Sequence, residues 1–173
     1  IIGHIEEFSR DDLNTEGIEL ILPNLTFINK LLLKDDQDLE VHVHHTGGHT
    51  SGSSIVHFPS HSVTFVGDLI FEGIFPYAGD KTCSPEAIIS SLEHVKNLNP
   101  DIIVPGHGPI INGQEDLQKH IDFYKNLRKI VRTGIMQNLK PEQIQIKPQR
   151  TNYTDREIER QKVTIEHWYN FYK

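Results

Sequence analysis

Alternation of apolar and polar residues predicts short strands in the first two thirds of the chain. Residues 39–45 show it most clearly, with the two kinds of side chain on opposite faces: Leu39, Val41 and Val43 against Glu40, His42 and His44. This pattern is typical of a strand with one buried and one solvated face. We therefore expect His42 and His44 to face solvent. Further strands are predicted at 18–22, 54–58, 62–66 and 101–104, with a hairpin within 25–33.

Helical spacing replaces alternation in three later segments. Ser84 and Pro85 provide an N-cap and a first helical residue, so a helix is predicted from there to residue 98. Apolar residues at intervals of three and four predict a second helix over 115–139, where Gly134 is a candidate bend. A capping box at 154–157 predicts a last helix ending near residue 172. A short helix at 6–13 is predicted on weaker grounds.

The order of these elements predicts an α/β fold in which helices pack on a sheet. We divide the chain into a sheet-containing domain, 1–113, and a helical extension, 114–173. Packing against the sheet layer is the first interpretation of the extension. A dimer interface or a substrate-binding lobe is the second.

Composition narrows the classes of function. The chain has 173 residues and a net charge of −7, with 24 acidic and 17 basic residues interspersed. This charge disfavours a nucleic-acid-binding surface. No apolar run is long enough to span a membrane. The single cysteine, Cys83, excludes an internal disulfide, and we expect a cytoplasmic protein.

Three glycine-framed turns carry the candidate chemistry. Each follows an apolar run that predicts a strand, and each holds one metal-binding side chain: His49, Asp68 or His107. The separations along the chain are too long for a zinc finger. They suit ligands gathered from separate strands of one sheet. The turns therefore predict a metal site at the strand ends.

The strings GGHTSGS at 47–53, GDLIF at 67–71 and PGHGP at 105–109 resemble the second half of the metallo-β-lactamase superfamily. The resemblance implies a four-layer αββα sandwich, of which this chain supplies mainly the C-terminal half. It also implies that His49, Asp68 and His107 are metal ligands and that Asp68 bridges two ions and acts in catalysis. Zinc is the expected metal, with iron or manganese as alternatives.

One family motif, His-x-His-x-Asp-His, does not occur in the sequence. Without it the chain offers two protein ligands per metal, fewer than the three usual at catalytic zinc. We therefore expect the isolated chain to bind metal weakly and to catalyse poorly. The other ligands could come from a separate polypeptide, from a longer form of this chain, or from the histidines at 42, 44 and 45. The strand geometry disfavours the last. A lone half sandwich would also leave one sheet face open, which predicts a homodimer or a partner that supplies the other half.

The activity implied by the resemblance is hydrolysis. A metal-bridged hydroxide would attack a small ester or thioester substrate, as in hydroxyacylglutathione-hydrolase-like enzymes. The alternative is a non-catalytic subunit that keeps a partial metal site. Thr50 and Ser53 are expected to support the ligands or the nearby backbone. The loop at 72–80 is either a packed Ω-type loop or a wall of the substrate cleft.

Overall fold

The computed structural model describes residues 21, 23–146 and 153–173. The predicted helix at 6–13 lies outside these residues, and so does the predicted strand at 18–22 except for Ile21. The described strands are β1 (Lys30–Lys34), β2 (Glu40–His45), β3 (Ser54–Phe58), β4 (Val63–Phe71), β5 (Ile102–His107) and β6 (Ile111–Asn112). The described α-helices are α1 (Pro85–Leu98), α2 (Gly113–Met136) and α3 (Asp155–Tyr172). None of these helices carries a stretch apolar enough to cross a membrane.

The strands form one mixed sheet in sequence order, β1 to β6. Every neighbouring pair is antiparallel except β4 and β5, which are parallel and joined through α1. A parallel pair needs such a crossover because the chain must return to the end at which it began. The carboxyl ends of β4 and β5 therefore meet at one edge of the sheet. The α/β prediction is confirmed.

The helix predictions are confirmed with small changes at the ends. The Ser84 side chain caps α1 by accepting from the Ala87 amide at 3.2 Å. Thr154 and Glu157 form the predicted capping box of α3. Gly134 does not interrupt α2, which continues to Met136. It is buried in the helix, and a Cβ there would lie 2.6 Å from Ile144 Cδ1, so the glycine allows close packing of the segment that follows.

A single apolar core lies between the sheet and the helices. It contains Ile55, Val66 and Ile70 from the sheet and Leu92 from α1. Helices α2 and α3 join the same core, the latter through Trp168, which is fully buried. All three helices thus cover the same face of the sheet.

The prediction that His42 and His44 face solvent is wrong. In the register, His42 pairs with His57 and His44 pairs with Ile55, so the histidines share the face that packs on the helices. His57 is buried and His42 and His44 are half-buried. The alternation identified two faces correctly, but it could not say which one the helices cover.

The predicted hairpin within 25–33 is also wrong. The described strand in this region is β1, and its partner is β2, with Leu31 opposite Val43. The turn lies at 35–38, where the Asp35 carboxylate accepts the amides of Gln37 and Leu39 at 2.8 and 2.9 Å. An aspartate that accepts amides two and four residues later stabilises a tight turn, and this places the turn after β1 rather than within it.

Candidate metal centre

The turn between β2 and β3 holds His49 on a braced backbone. Carbonyl oxygen atoms of Thr46 and Gly47 accept from the Ser91 hydroxyl of α1 at 3.2 and 3.3 Å. The hydroxyls of Thr50 and Ser53 lie 3.2 Å apart, and Ser53 Oγ accepts the Thr50 amide at 2.9 Å. The turn is thus held by α1 and by bonds within the turn itself.

Gly48 lets this turn approach α1 and β4. Its φ is +114°, and a Cβ built there would lie 2.8 Å from Leu69 Cδ2 and 3.2 Å from the Cα of Ile88. A side chain would therefore push the turn away from the core, in a conformation that already favours glycine. The Gly48 carbonyl also accepts the Ser84 amide at 2.9 Å. Helix α1 thus positions the residue next to His49.

Asp68 and His107 approach each other at the carboxyl ends of β4 and β5. A Cβ at Gly106 would lie 2.1 Å from Asp68 Oδ1 and 2.7 Å from the backbone carbon of Gly67. The carboxylate therefore occupies the space that any side chain at 106 would need. This contact explains a glycine immediately before His107, although it was not foreseen from the sequence.

The structure brings His49, Asp68 and His107 together. The Nε2 atom of His49 lies 3.6 Å from Asp68 Oδ2, and the Nε2 atom of His107 lies 3.6 Å from Asp68 Oδ1. The side chains of Asp68 and His107 are 40% and 46% exposed, whereas that of His49 is 15% exposed. One aspartate thus presents a different oxygen to each histidine, and the arrangement opens to solvent on the His107 side.

This donor set fits two metal ions that share Asp68. Two ligand atoms on one tetrahedral zinc, each bonded at about 2.1 Å, lie about 3.4 Å apart. The two observed separations are close to this value. In addition, His49 Nδ1 is buried and has no hydrogen-bond partner among the described residues. A histidine that binds metal through one nitrogen normally donates from the other, so His49 still lacks one supporting group.

In the structure, as in the sequence, few side chains are available to bind each metal ion. Among the described residues, no three His, Cys, Asp or Glu side chains converge to hold one metal ion. The histidines at 42, 44 and 45 do not complete the set. His45 Nε2 contacts the Ser51 carbonyl at 2.7 Å, and His44 Nδ1 lies 2.9 Å from the Nε2 of His94. The candidate site described by the structure therefore consists of two His–Asp pairs that share Asp68.

Aromatic rings line the site next to the histidines. Phe71 stacks on His107 with ring centroids 4.7 Å apart and planes inclined by 16°. The same ring lies 5.8 Å from His49, and Tyr77 lies 6.1 Å from His49 on another side. Rings on two sides of His49 are consistent with its low exposure of 15%, whereas His107 stays open to solvent. Phe71 is the last residue of the GDLIF string at 67–71, but its contact with His107 was not predicted.

Helix α3 pins the loop that carries Tyr77. The amides of Phe75 and Ala78 donate to Glu157 Oε1 and Thr164 Oγ1, each at 3.0 Å. Trp168 Nε1 donates to the Ala78 carbonyl at 3.1 Å. The loop is thus both packed and adjacent to the site. The sequence does not predict these roles of Glu157, Thr164 and Trp168, because a hydrogen bond between residues more than eighty positions apart leaves no local pattern.

A second group of histidines lies under α1, away from the metal site. His57 Nδ1 contacts Thr64 Oγ1 at 2.8 Å, and His44 contacts His94 of α1. Burial, together with the neighbouring His94, lowers the pKa of His44 to about 4. Burial also lowers the pKa of His57. His44 and His57 are therefore neutral near pH 7, and they are polar members of the packed layer.

Known proteins resemble this chain in sequence and in fold. A sequence profile described as the metallo-beta-lactamase superfamily matches residues 3–107, more than half of the chain. No curated protein matches in sequence.

Solved structures share the fold. A metallo-beta-lactamase from Pontibacter korlensis is 18% identical, with a TM-score of 0.54, over 65% of this chain and 53% of its own. A stereoselective inverting sec-alkylsulfatase from Pseudomonas is 15% identical, with a TM-score of 0.68, over 88% of this chain and 27% of its own. A metallo-beta-lactamase family protein from Thermus thermophilus is 16% identical, with a TM-score of 0.54, over 64% of this chain and 38% of its own. This chain thus spans about half or less of each of these proteins.

Proposed function

Because the chain belongs to the metallo-beta-lactamase superfamily, whose members are typically metal-dependent hydrolases, we propose that it acts as a zinc hydrolase of small esters or thioesters. The substrate class rests on the resemblance of the aromatic loop at 75–77 and of the helical tail to hydroxyacylglutathione-hydrolase-like enzymes. The net charge of −7 and the single cysteine support a cytoplasmic enzyme that does not act on nucleic acid or at a membrane.

One observation carries the proposal: Asp68 presents its two oxygens to His49 and His107 at 3.6 Å each. In this assignment His49 and Asp68 hold one ion, and Asp68 and His107 hold the other. Two such ions supply an activated water and polarise a carbonyl or phosphoryl oxygen. Asp68 is the catalytic carboxylate because it alone touches both ligand pairs.

We propose further that a partner polypeptide or a second copy completes the site. Two protein ligands per ion are too few for catalytic zinc. The face of the sheet opposite the helices is apolar, no described helix covers it, and its central side chain, Phe65, is 43% exposed. A second layer on this face would bury that surface and could bring the additional ligands.

Elemental analysis of the purified chain, before and after incubation with zinc, tests the metal assignment. We expect weak zinc binding, well below two ions per chain, that is lost in His49→Ala and unchanged in His61→Ala, which alters an exposed histidine. Hydrolysis of p-nitrophenyl acetate should be slow. Enzyme-like turnover by the isolated chain would contradict the idea of an incomplete site, and zinc retention by the His49 variant would contradict the ligand assignment.

Mass measurement in solution tests the partner. If a second copy covers the open face, Phe65→Lys should convert a dimer into a monomer in size-exclusion chromatography with light scattering. Ile110→Lys is the matched control, because Ile110 is 56% exposed but lies between β5 and β6 rather than on the open face. A wild-type monomer would instead favour a different polypeptide as the partner.

A non-catalytic subunit is the second candidate, and the pairing of ligands in twos rather than threes favours it. The two candidates differ in one outcome. Activity that appears when a polypeptide carrying the His-x-His-x-Asp-His motif is added supports the hydrolase. Zinc binding without activity in that mixture supports the subunit.

A further inference from the structure

Glu72, the residue after β4, is held against the end of β5. Its backbone amide donates to the His107 carbonyl oxygen at 2.9 Å, directly after the register pair of Phe71 and His107. Gly108 allows the close approach, because a Cβ built there would lie 2.9 Å from both the carbonyl carbon and the Cβ of Glu72. The backbone that carries the candidate ligand His107 therefore packs directly on Glu72.

The side chain of Glu72 is bonded to helix α2. Its Oε2 atom lies 2.7 Å from Nε2 of His120, and since a carboxylate accepts hydrogen bonds, the imidazole is the donor. The two side chains are only 32% and 17% exposed. The next residue on α2, Lys119, also makes a 2.7 Å ion pair, but its partner Asp116 is in the same helix and both side chains are largely exposed. The shielded bond is therefore stronger, and it joins two different elements.

Helix α2 gives this bond a rigid base. Three residues of the helix turns around His120 are buried in the core: Leu117, Ile121 and Tyr124. The contacts thus run from the core through His120 to Glu72, and from the Glu72 amide to the carbonyl of His107. A metal ligand has to be held within about 0.5 Å of its working position. His107 benefits from such a support because its own side chain is 46% exposed at the end of a strand.

Resting on the proposed function, we propose that His120 is a positioning residue for the metal ligand His107 and that it acts through Glu72. With the bond in place, Glu72 is fixed at its side chain and at its backbone, and the end of β5 is held where His107 Nε2 faces Asp68 Oδ1 at 3.6 Å. Without it, Glu72 is fixed by its backbone alone. The end of β5 then moves more freely, and the ion shared by Asp68 and His107 binds less tightly.

Zinc affinity of the purified chain, measured by equilibrium dialysis, tests the proposal without turnover. His120→Ala removes the bond, whereas His120→Gln keeps an N–H donor at a similar reach. Glu72→Ala removes the same bond from the other side, and the double variant completes a mutant cycle. Lys119→Ala is the matched control, because it breaks the neighbouring exposed ion pair on α2. Visible spectra of the cobalt-substituted chain report the geometry around the ion.

We expect His120→Ala and Glu72→Ala each to bind zinc about tenfold more weakly, as is usual when a group that supports a metal ligand is removed. The double variant should be no weaker than either single one, because both remove one bond. His120→Gln should recover most of the affinity and the wild-type cobalt spectrum, and Lys119→Ala should match the wild type.

Three results would overturn the proposal. The first is unchanged zinc affinity and cobalt spectrum in His120→Ala, even if urea denaturation shows a loss of stability. The second is additive losses in the double variant, which would mean that His120 and Glu72 act separately. The third is an affinity of His120→Gln as low as that of His120→Ala.

Failure of the proposed function gives a different result. A wild-type chain that binds no zinc would reject the metal centre and, with it, the role of His120 toward a metal ligand. Hydrogen exchange at the Glu72 amide, measured without metal, would then still show whether His120→Ala loosens the bond to the His107 carbonyl. Zinc binding and ester hydrolysis that are equal in wild type and His120→Ala would keep the hydrolase and reject only the present inference.

Discussion

The two faces of the sheet differ in a way that reverses the usual expectation. The face under the helices carries a row of polar side chains, with His42 opposite His57 and His57 opposite Thr64. The open face carries an apolar row across five strands: Leu31, Val43, Val56, Phe65 and Val104. No member of this second row is buried, although Thr64 in the first row is fully buried.

This difference shows that the covered face tolerates polar groups where they pair with one another. His57 is bonded to Thr64, and His44 is bonded through Nδ1 to His94, although His44 Nε2 is buried without a partner among the described residues. The apolar row has no such compensation, because exposed apolar area costs free energy whatever its neighbours are. Within the described part of the chain, this apolar row is therefore the feature that most supports the proposed second layer.

Neighbouring residues on β3 offer the strongest test of this comparison. Ile55 is fully buried under the helices, whereas Val56, the next residue, lies half-buried on the open face. We expect Ile55→Ala to lower the free energy of unfolding by about 3 kcal/mol, through loss of apolar burial and formation of a cavity. Val56→Ala should cost less than about 1 kcal/mol. Urea denaturation of both variants measures the difference, and equal costs would mean that the open face is already covered.

A second test concerns the strand ends, where the candidate metal site lies, rather than either face of the sheet. Gly106→Ala places a methyl group where Asp68 Oδ1 now lies, and the backbone of Gly67 prevents an easy shift. We expect zinc affinity to fall at least about tenfold, since a displaced carboxylate no longer faces both histidines. Gly113→Ala is the control, because it changes a glycine with φ +75° and no neighbour within 4 Å of the added carbon. If both variants bind zinc alike, Asp68 is not held by contact with Gly106.

The sequence predicted the described helices, and it singled out three residues that the structure brings together, because these signals are local. Caps, helical spacing and glycine turns each occupy a few adjacent residues, and Ser84, Thr154 and His49 all lie within such patterns. The orientation of the sheet was not predictable in this way. His42 and Val43 alternate equally whichever face the helices cover. The roles of Glu157 and Thr164 were not predictable either, since their bonds to the loop beside the site depend on how α3 returns to a segment far away in the chain.

A pH titration tests the polar row. His44 has a pKa of about 4 in the folded protein and an ordinary value of 6.5, because burial and the nearby His94 oppose its charge. Lys30, His42 and His57 act in the same direction, while Glu40 faces His42 at 3.3 Å. The unfolded chain therefore binds this proton more readily. The contribution to stability is complete above pH 6.5 and is lost as the pH falls toward 4.

We expect this loss to be on the order of 1–2 kcal/mol, after allowance for solvent screening of a half-buried group. Urea unfolding at pH 7 and pH 4.5 measures it, and His44→Asn should reduce the difference between the two values. His61→Asn, which changes an exposed histidine, should leave it unchanged. A loss at low pH that is the same in wild type and in His44→Asn would assign the pH dependence to other groups.

The smallest expected effect concerns the link between the covered face and the metal centre. Ser91 of α1 donates to the carbonyls of Thr46 and Gly47, whereas the adjacent Ser90 is exposed and bonds only within its own helix. Ser91→Ala leaves two carbonyl groups without this donor and should cost about 1 kcal/mol of stability. It should also weaken zinc binding a few-fold, because the turn that holds His49 loses one of its supports. Ser90→Ala should change neither quantity. Unchanged zinc affinity in Ser91→Ala, despite the stability loss, would show that the remaining bonds of the turn, such as that from Thr50 to Ser53, are sufficient to position His49.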